Sequence, residues 1–196
     1  MEIVELYANS IWSVKYEGDP KDIFYIKINQ WRDIEYLDEF FNANKNRIEN
    51  LEFWRDVPIQ DMILAVRQES INILKEFKKL YWNGVSGLKP DFDDRFVILE
   101  RNAITDDAIN RRKMYGDSKG LLDTSLLRLY AIKIPPDNED ESAAYIITGG
   151  GIKLTSNMEQ MRELAQEYRK MLGVQEWLKQ NGIKVKTDLY TYKNDR

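Results

Sequence analysis

Apolar and polar positions alternate from the start of the chain. Glu2 to Tyr7 alternates in part, and Ile11 to Tyr16 sets Trp12, Val14 and Tyr16 on one face against Ser13 and Lys15 on the other. Phe24, Ile26 and Ile28 then alternate with Tyr25 and Lys27. Period-two alternation predicts half-buried antiparallel strands. Turn signals at Ala8-Asn9-Ser10 and Glu17-Gly18-Asp19-Pro20 join the three into a meander.

The period then changes. Trp31, Ile34, Leu37, Phe40 and Phe41 fall at helical spacing, and the Asn-rich stretch from Asn42 to Asn50 breaks that helix. Ile59 to Trp82 carries the clearest apolar stripe, through Met62, Val66, Ile73, Phe77 and Leu80, with Pro58 at its start and Asn83-Gly84 as a stop. Phe96-Val97-Ile98-Leu99 suits a short buried strand, and Thr105-Asp106-Asp107 suits the cap of a short helix through Arg111-Arg112-Lys113. Leu126 to Ile134 and Ala144 to Thr148 predict a hairpin with the long polar tip Pro135 to Glu141. Gly149-Gly150-Gly151 follows as a loop. A Ser156/Glu159 capping box starts a long helix, with Met161, Leu164, Tyr168, Leu172 and Trp177 as its apolar positions and Gly182 as its stop. Ile183 to Tyr192 alternates and predicts one last strand.

Strands, helices, strands and then a helix are grouped rather than interleaved. This order predicts an α+β fold, an antiparallel sheet with packed helices. With no linker or repeat, residues 1–196 read as a single domain in which 1–55 form an N-terminal lobe on a core of 56–196.

Composition narrows the chemistry. The chain has 196 residues, no cysteine and no histidine. Disulfides, thiol nucleophiles, iron–sulfur clusters, zinc fingers and any site that needs an imidazole are excluded. Catalysis would rest on Asp, Glu, Lys, Arg, Tyr, Ser or Thr. A net charge of -4 argues against a non-specific binder of nucleic acid or anionic membrane, while leaving room for a local basic groove. The N-terminal Met1-Glu2-Ile3-Val4-Glu5 is neither a signal nor a transit peptide, and no apolar run reaches transmembrane length, so a cytoplasmic protein without a membrane partner is expected.

Several features could carry chemistry. The triple glycine followed by Lys153 and a helix has the layout of a phosphate cradle, although the P-loop spacing is missing. The plainer reading is a bend or bulge where backbone passes close to a neighbour. Arg128 shares a strand face with Tyr130, Ile132 and Ile134; it needs either an ion pair, with Glu100 or Asp123, or a cleft that takes a phosphate. Arg111, Arg112 and Lys113, with Lys119 nearby, form the densest basic cluster. It reads as a solvated face or as a grip on a nucleic-acid backbone. Asp93-Asp94 and Asp106-Asp107 lack metal-loop spacing, so neither metal nor cofactor is expected. The five tryptophans read as core and edge anchors.

The stretch Leu127-Arg128-Leu129-Tyr130-Ala131-Ile132, followed by Tyr145-Ile146-Ile147-Thr148-Gly149-Gly150-Gly151-Ile152-Lys153, resembles the hairpin core of the RelE/HigB-like toxin superfamily. The match covers residues 126–155, and 60–155 as an order of elements. The resemblance implies a RelE-like core, here with an N-terminal strand meander and a long C-terminal helix added. It also implies cleavage of messenger RNA, usually on the ribosome, and a partner antitoxin. Arg128 matches the strand arginine on phosphate, Lys153 falls near the cation at the end of the last strand, and Lys113 or Lys119 occupies the basic loop ahead of the hairpin. With Tyr130, these residues would make a histidine-free catalytic site, and Arg111, Arg112 and Lys113 would bind RNA. The alternative is a non-catalytic protein-interaction module on the same scaffold.

Overall fold

The computed structural model describes residues 1–7, 10–85, 92, 95–99, 109–116, 122, 124–138, 141–155 and 161–195. Among the described residues, six strands form one mixed, mostly antiparallel sheet, and six helices pack around it, an α+β fold. The strands are β1 (Glu2–Tyr7), β2 (Ile11–Lys15), β3 (Val97–Ile98), β4 (Asn110–Tyr115), β5 (Leu127–Ile134) and β6 (Ala144–Ile152), in the spatial order β1-β2-β6-β5-β4-β3. The helices are α1 (Ile23–Gln30), α2 (Ile34–Ala43), α3 (Lys45–Glu49), α4 (Ile59–Val85), α5 (Arg162–Gln180) and α6 (Lys186–Asn194). None is long and apolar enough to cross a membrane, among the described residues.

The predicted β5–β6 hairpin is the centre of the sheet, and both strands are buried almost throughout. Residues on both faces are buried, so both faces are covered. β2 joins β6 in parallel, with Ile11, Trp12 and Ser13 opposite Tyr145, Ile146 and Ile147. The expected half-buried β2 is therefore corrected: Ile11 to Val14 are all buried, and the Ser13 hydroxyl accepts from the Phe24 amide at 3.1 Å. The third strand of the meander is a helix. Asp22 caps α1 by accepting from the Tyr25 amide, and Ile23, Phe24 and Ile28 share its buried side. Over eight residues, alternation at 24, 26 and 28 cannot outweigh a good cap.

The α4 stripe is as predicted, with Met62, Val66, Ile73, Phe77 and Leu80 all buried. The helix runs through Asn83-Gly84 to Val85. Val97 and Ile98 form an exposed edge strand rather than a buried one, while Phe96 beside them is buried. Arg111 to Lys113 lie in β4, not in a helix, because β4 pairs with β5 along its whole length. The Ser156/Glu159 box lies outside the described residues. In α5 the buried positions are Leu164, Glu167, Met171, Val174 and Leu178, while Leu172 is exposed. Gly182 ends α5 with φ +72°. The amides of Gly182 and Ile183 return to Lys179 and Leu178 at 3.1 and 3.0 Å, closing a Schellman cap. The expected last strand is helix α6, started by Asp188, whose carboxylate accepts from the Lys184 and Val185 amides.

Candidate functional site

The glycines do not form a loop. Gly149, Gly150 and Gly151 lie within β6, paired with Tyr130, Leu129 and Arg128, and a bulge falls between Ile147 and Gly149. A Cβ on Gly150 would sit 2.7 Å from the Arg128 carbonyl oxygen and 2.8 Å from Trp31, and one on Gly151 would sit 2.7 Å from Leu164. The glycines let α5 and Trp31 close onto the strand. The plainer reading holds, a bulge where backbone passes close to its neighbours. The phosphate cradle does not form, since the Gly150 amide is already taken by the Glu167 carboxylate at 3.1 Å.

A cleft of about 310 Å3 opens where β5 begins and β6 ends. Phe53, Trp54, Thr124, Ser125, Arg128, Lys153, Leu154 and Thr155 line it. The Lys153 amide donates to the Leu126 carbonyl at 2.7 Å, extending the hairpin pairing and bringing Lys153 beside Arg128. Trp54 arrives from the turn ahead of α4, and its Nε1 donates to the Leu154 carbonyl at 2.7 Å.

Arg128 is only 8% exposed. Its Nη1 donates to the Ser125 and Leu127 carbonyls at 2.8 and 2.7 Å, and its guanidinium lies 4.1 Å from the centroid of the Tyr115 ring. Burial lowers its pKa, while Tyr115, Tyr130 and Glu69 favour the charge. Glu69, fully buried on α4, organises the wall of the cleft. Its carboxylate accepts from the Leu126 and Leu127 amides at 2.9 and 2.7 Å and from the Ser125 hydroxyl at 2.8 Å. Burial lowers the Lys153 pKa, and Arg128 and Lys113 push it the same way. Lys113 stands 5.5 Å from the Tyr115 ring centroid, across the ring that Arg128 also uses.

The other expected residues are placed differently. Tyr130 is completely buried and does not line the cleft; its hydroxyl has no hydrogen-bond partner among the described residues. Burial raises its pKa, against the opposing pull of Arg128. Arg111 donates to the Tyr168 hydroxyl at 2.8 Å, and Arg112 donates to the Asn110 side chain at 2.6 Å, so both are tied into the fold away from the cleft. Lys119, Glu100, Asp123 and the acid pairs at 93–94 and 106–107 lie outside the described residues. Among the described residues, no cluster of acids could hold a metal ion.

Sequence reading missed Glu69, Tyr115, Phe53 and the role of Trp54. A glutamate inside the apolar stripe of α4 was the available signal for the first. The others come from segments distant in sequence. In chemical terms the cleft offers two cations, hydroxyl-bearing walls and an aromatic rim, a set suited to a phosphorylated ligand. Comparisons with family models, curated proteins and solved structures returned no match.

Proposed function

We propose that this protein is a cytoplasmic component of a toxin–antitoxin module of the RelE/HigB kind that cleaves messenger RNA without a histidine, on the ribosome, and is neutralised by an antitoxin protein. The observation that carries this reading is the convergence of Arg128 and Lys153 in one cleft. These are the two cations that the resemblance assigns to phosphate. Lys153 feels two like charges, and no ion pair neutralises it among the described residues. A bound phosphodiester would offset that repulsion.

In the cleavage step the RNA 2′-hydroxyl oxygen attacks the adjacent phosphorus. The bond from phosphorus to the 5′ oxygen breaks, leaving a 2′,3′-cyclic phosphate and a 5′-hydroxyl. Lys153 in its amine form accepts the 2′-hydroxyl proton, and the departing 5′ oxygen takes a proton from water. Arg128 offsets the charge that gathers on the non-bridging oxygens.

Expression in a bacterial host is expected to arrest growth, and Lys153→Ala is expected to relieve the arrest at unchanged soluble yield. Unimpaired growth with abundant soluble wild-type protein rejects the reading. One observation favours the alternative, a non-catalytic protein-interaction module: helix α5 lies against β5 and β6 and reaches Arg111 on β4, over sheet that would otherwise be open to a ligand. That alternative is supported if the protein co-purifies with one neighbour-encoded partner and cleaves no RNA.

A further inference from the structure

Phe53 is 57% exposed at the rim of the cleft, one residue from the almost fully buried Trp54. An exposed ring on a flexible loop would say little, but this one is held. The Trp54 and Arg55 amides both return to the Leu51 carbonyl at 2.9 Å, the Val57 amide returns to Trp54 at 3.0 Å, and the Trp54 indole is pinned to Leu154. The two rings meet at 4.9 Å and 79°, a contact that fixes Phe53 without covering it. Preorganised aromatic surface beside cations is the combination that binds unpaired nucleotides, because every base has a π face and every nucleotide carries a phosphate.

We infer that Phe53 is a stacking platform for a nucleobase, so that the cleft takes one unpaired nucleotide, with its base on Phe53 and its phosphate on Lys153 and Arg128. This rests on the phosphate reading of the cleft given above. The volume of about 310 Å3 lies at the lower end of small-ligand sites, enough for a single nucleotide and too small for a duplex. Thr124 and Thr155 on the walls suit the hydroxyls of a sugar. An apolar peptide would cover Phe53 equally well, but it would desolvate Lys153 and Arg128 without a counter-charge.

Calorimetric titration of the full chain with AMP, ribose 5-phosphate and inorganic phosphate tests the inference. AMP is expected to bind about 5- to 150-fold more tightly than ribose 5-phosphate, the span that one base–aromatic stack supplies. Phe53→Ala should bring AMP down to the level of ribose 5-phosphate while leaving ribose 5-phosphate unchanged, and Phe53→Trp should keep the advantage. Equal affinity of AMP and ribose 5-phosphate for the wild type overturns the stacking role and leaves the phosphate site standing. A Phe53→Ala protein that loses both ligands alike also overturns it. If no phosphate ligand binds more tightly to the wild type than to Lys153→Ala, the phosphate site and the inference fall together.

Discussion

Lys153 carries a charge that its surroundings resist. Burial and two neighbouring cations all favour the amine, so its proton is lost at a lower pH than from an ordinary lysine. If the amine is the base, cleavage of a short RNA rises with pH through that lowered value. Lys153→Arg, which keeps its charge at every working pH, should abolish the rise while retaining RNA binding. An unchanged pH profile in the arginine variant would remove Lys153 as the base. Gly150 makes a different demand at the same scale. Its missing Cβ would meet backbone as well as Trp31, and backbone cannot step aside. Gly150→Ala is expected to destabilise the fold by about 3 kcal/mol, measured by urea unfolding.

Helix α4 reaches the site through one side chain. Glu69 holds two amides and a hydroxyl at the start of β5, and the carbonyls of that same segment hold Arg128. An amide in its place cannot accept both Leu126 and Leu127 equally well, so Glu69→Gln should cost about 1–3 kcal/mol in urea unfolding at neutral pH. Burial raises the Glu69 pKa although its hydrogen bonds oppose the shift. The folded chain therefore takes up this proton more readily than the unfolded one. The contribution of Glu69 is full below the unfolded carboxylate range and is lost as pH rises through the folded value. The stability gap between wild type and Glu69→Gln should widen as pH falls; a gap independent of pH would contradict this. At this scale, legibility followed length and pairing. The 27-residue α4 could be read because its stripe persists over many turns. Segments 23–30 and 186–194 could not, because eight or nine residues satisfy both periods and the deciding contacts are the single caps made by Asp22 and Asp188. Arg111 to Lys113 became strand through pairing with β5, a tertiary effect that overrides local preference. Arg128 and Lys153 come from the family resemblance, and they meet because β6 runs on through the glycines that the sequence pattern places in a loop, whereas Phe53 and Trp54 reach the cleft from a turn far away in sequence.

A molecule of net charge -4 has little long-range pull on RNA. Under the proposed reading, RNA binding would come from the few cations in and beside the cleft, at most Arg128, Lys153 and the neighbouring Lys113. The logarithm of the association constant should then fall against the logarithm of salt concentration with a slope of about -2 for single-stranded RNA. Fluorescence anisotropy over a salt series measures it. A much steeper slope would mean that a basic surface elsewhere carries the binding.

The parallel pairing of β2 with β6 has a consequence in time. Tyr16, just past β2, donates to the carbonyl of Thr148 on β6, a partner 132 residues later in the chain. During synthesis the β1–β2 hairpin leaves the ribosome with one edge bare, and its partner follows on the order of ten seconds later. Until then Ile11 and Trp12, both buried in the finished fold, lack their β6 partners Tyr145 and Ile146. The exposed interval is set by the pace of translation rather than by the chemistry of the strand, so slower synthesis before residue 144 lengthens the window in which the nascent chain can aggregate.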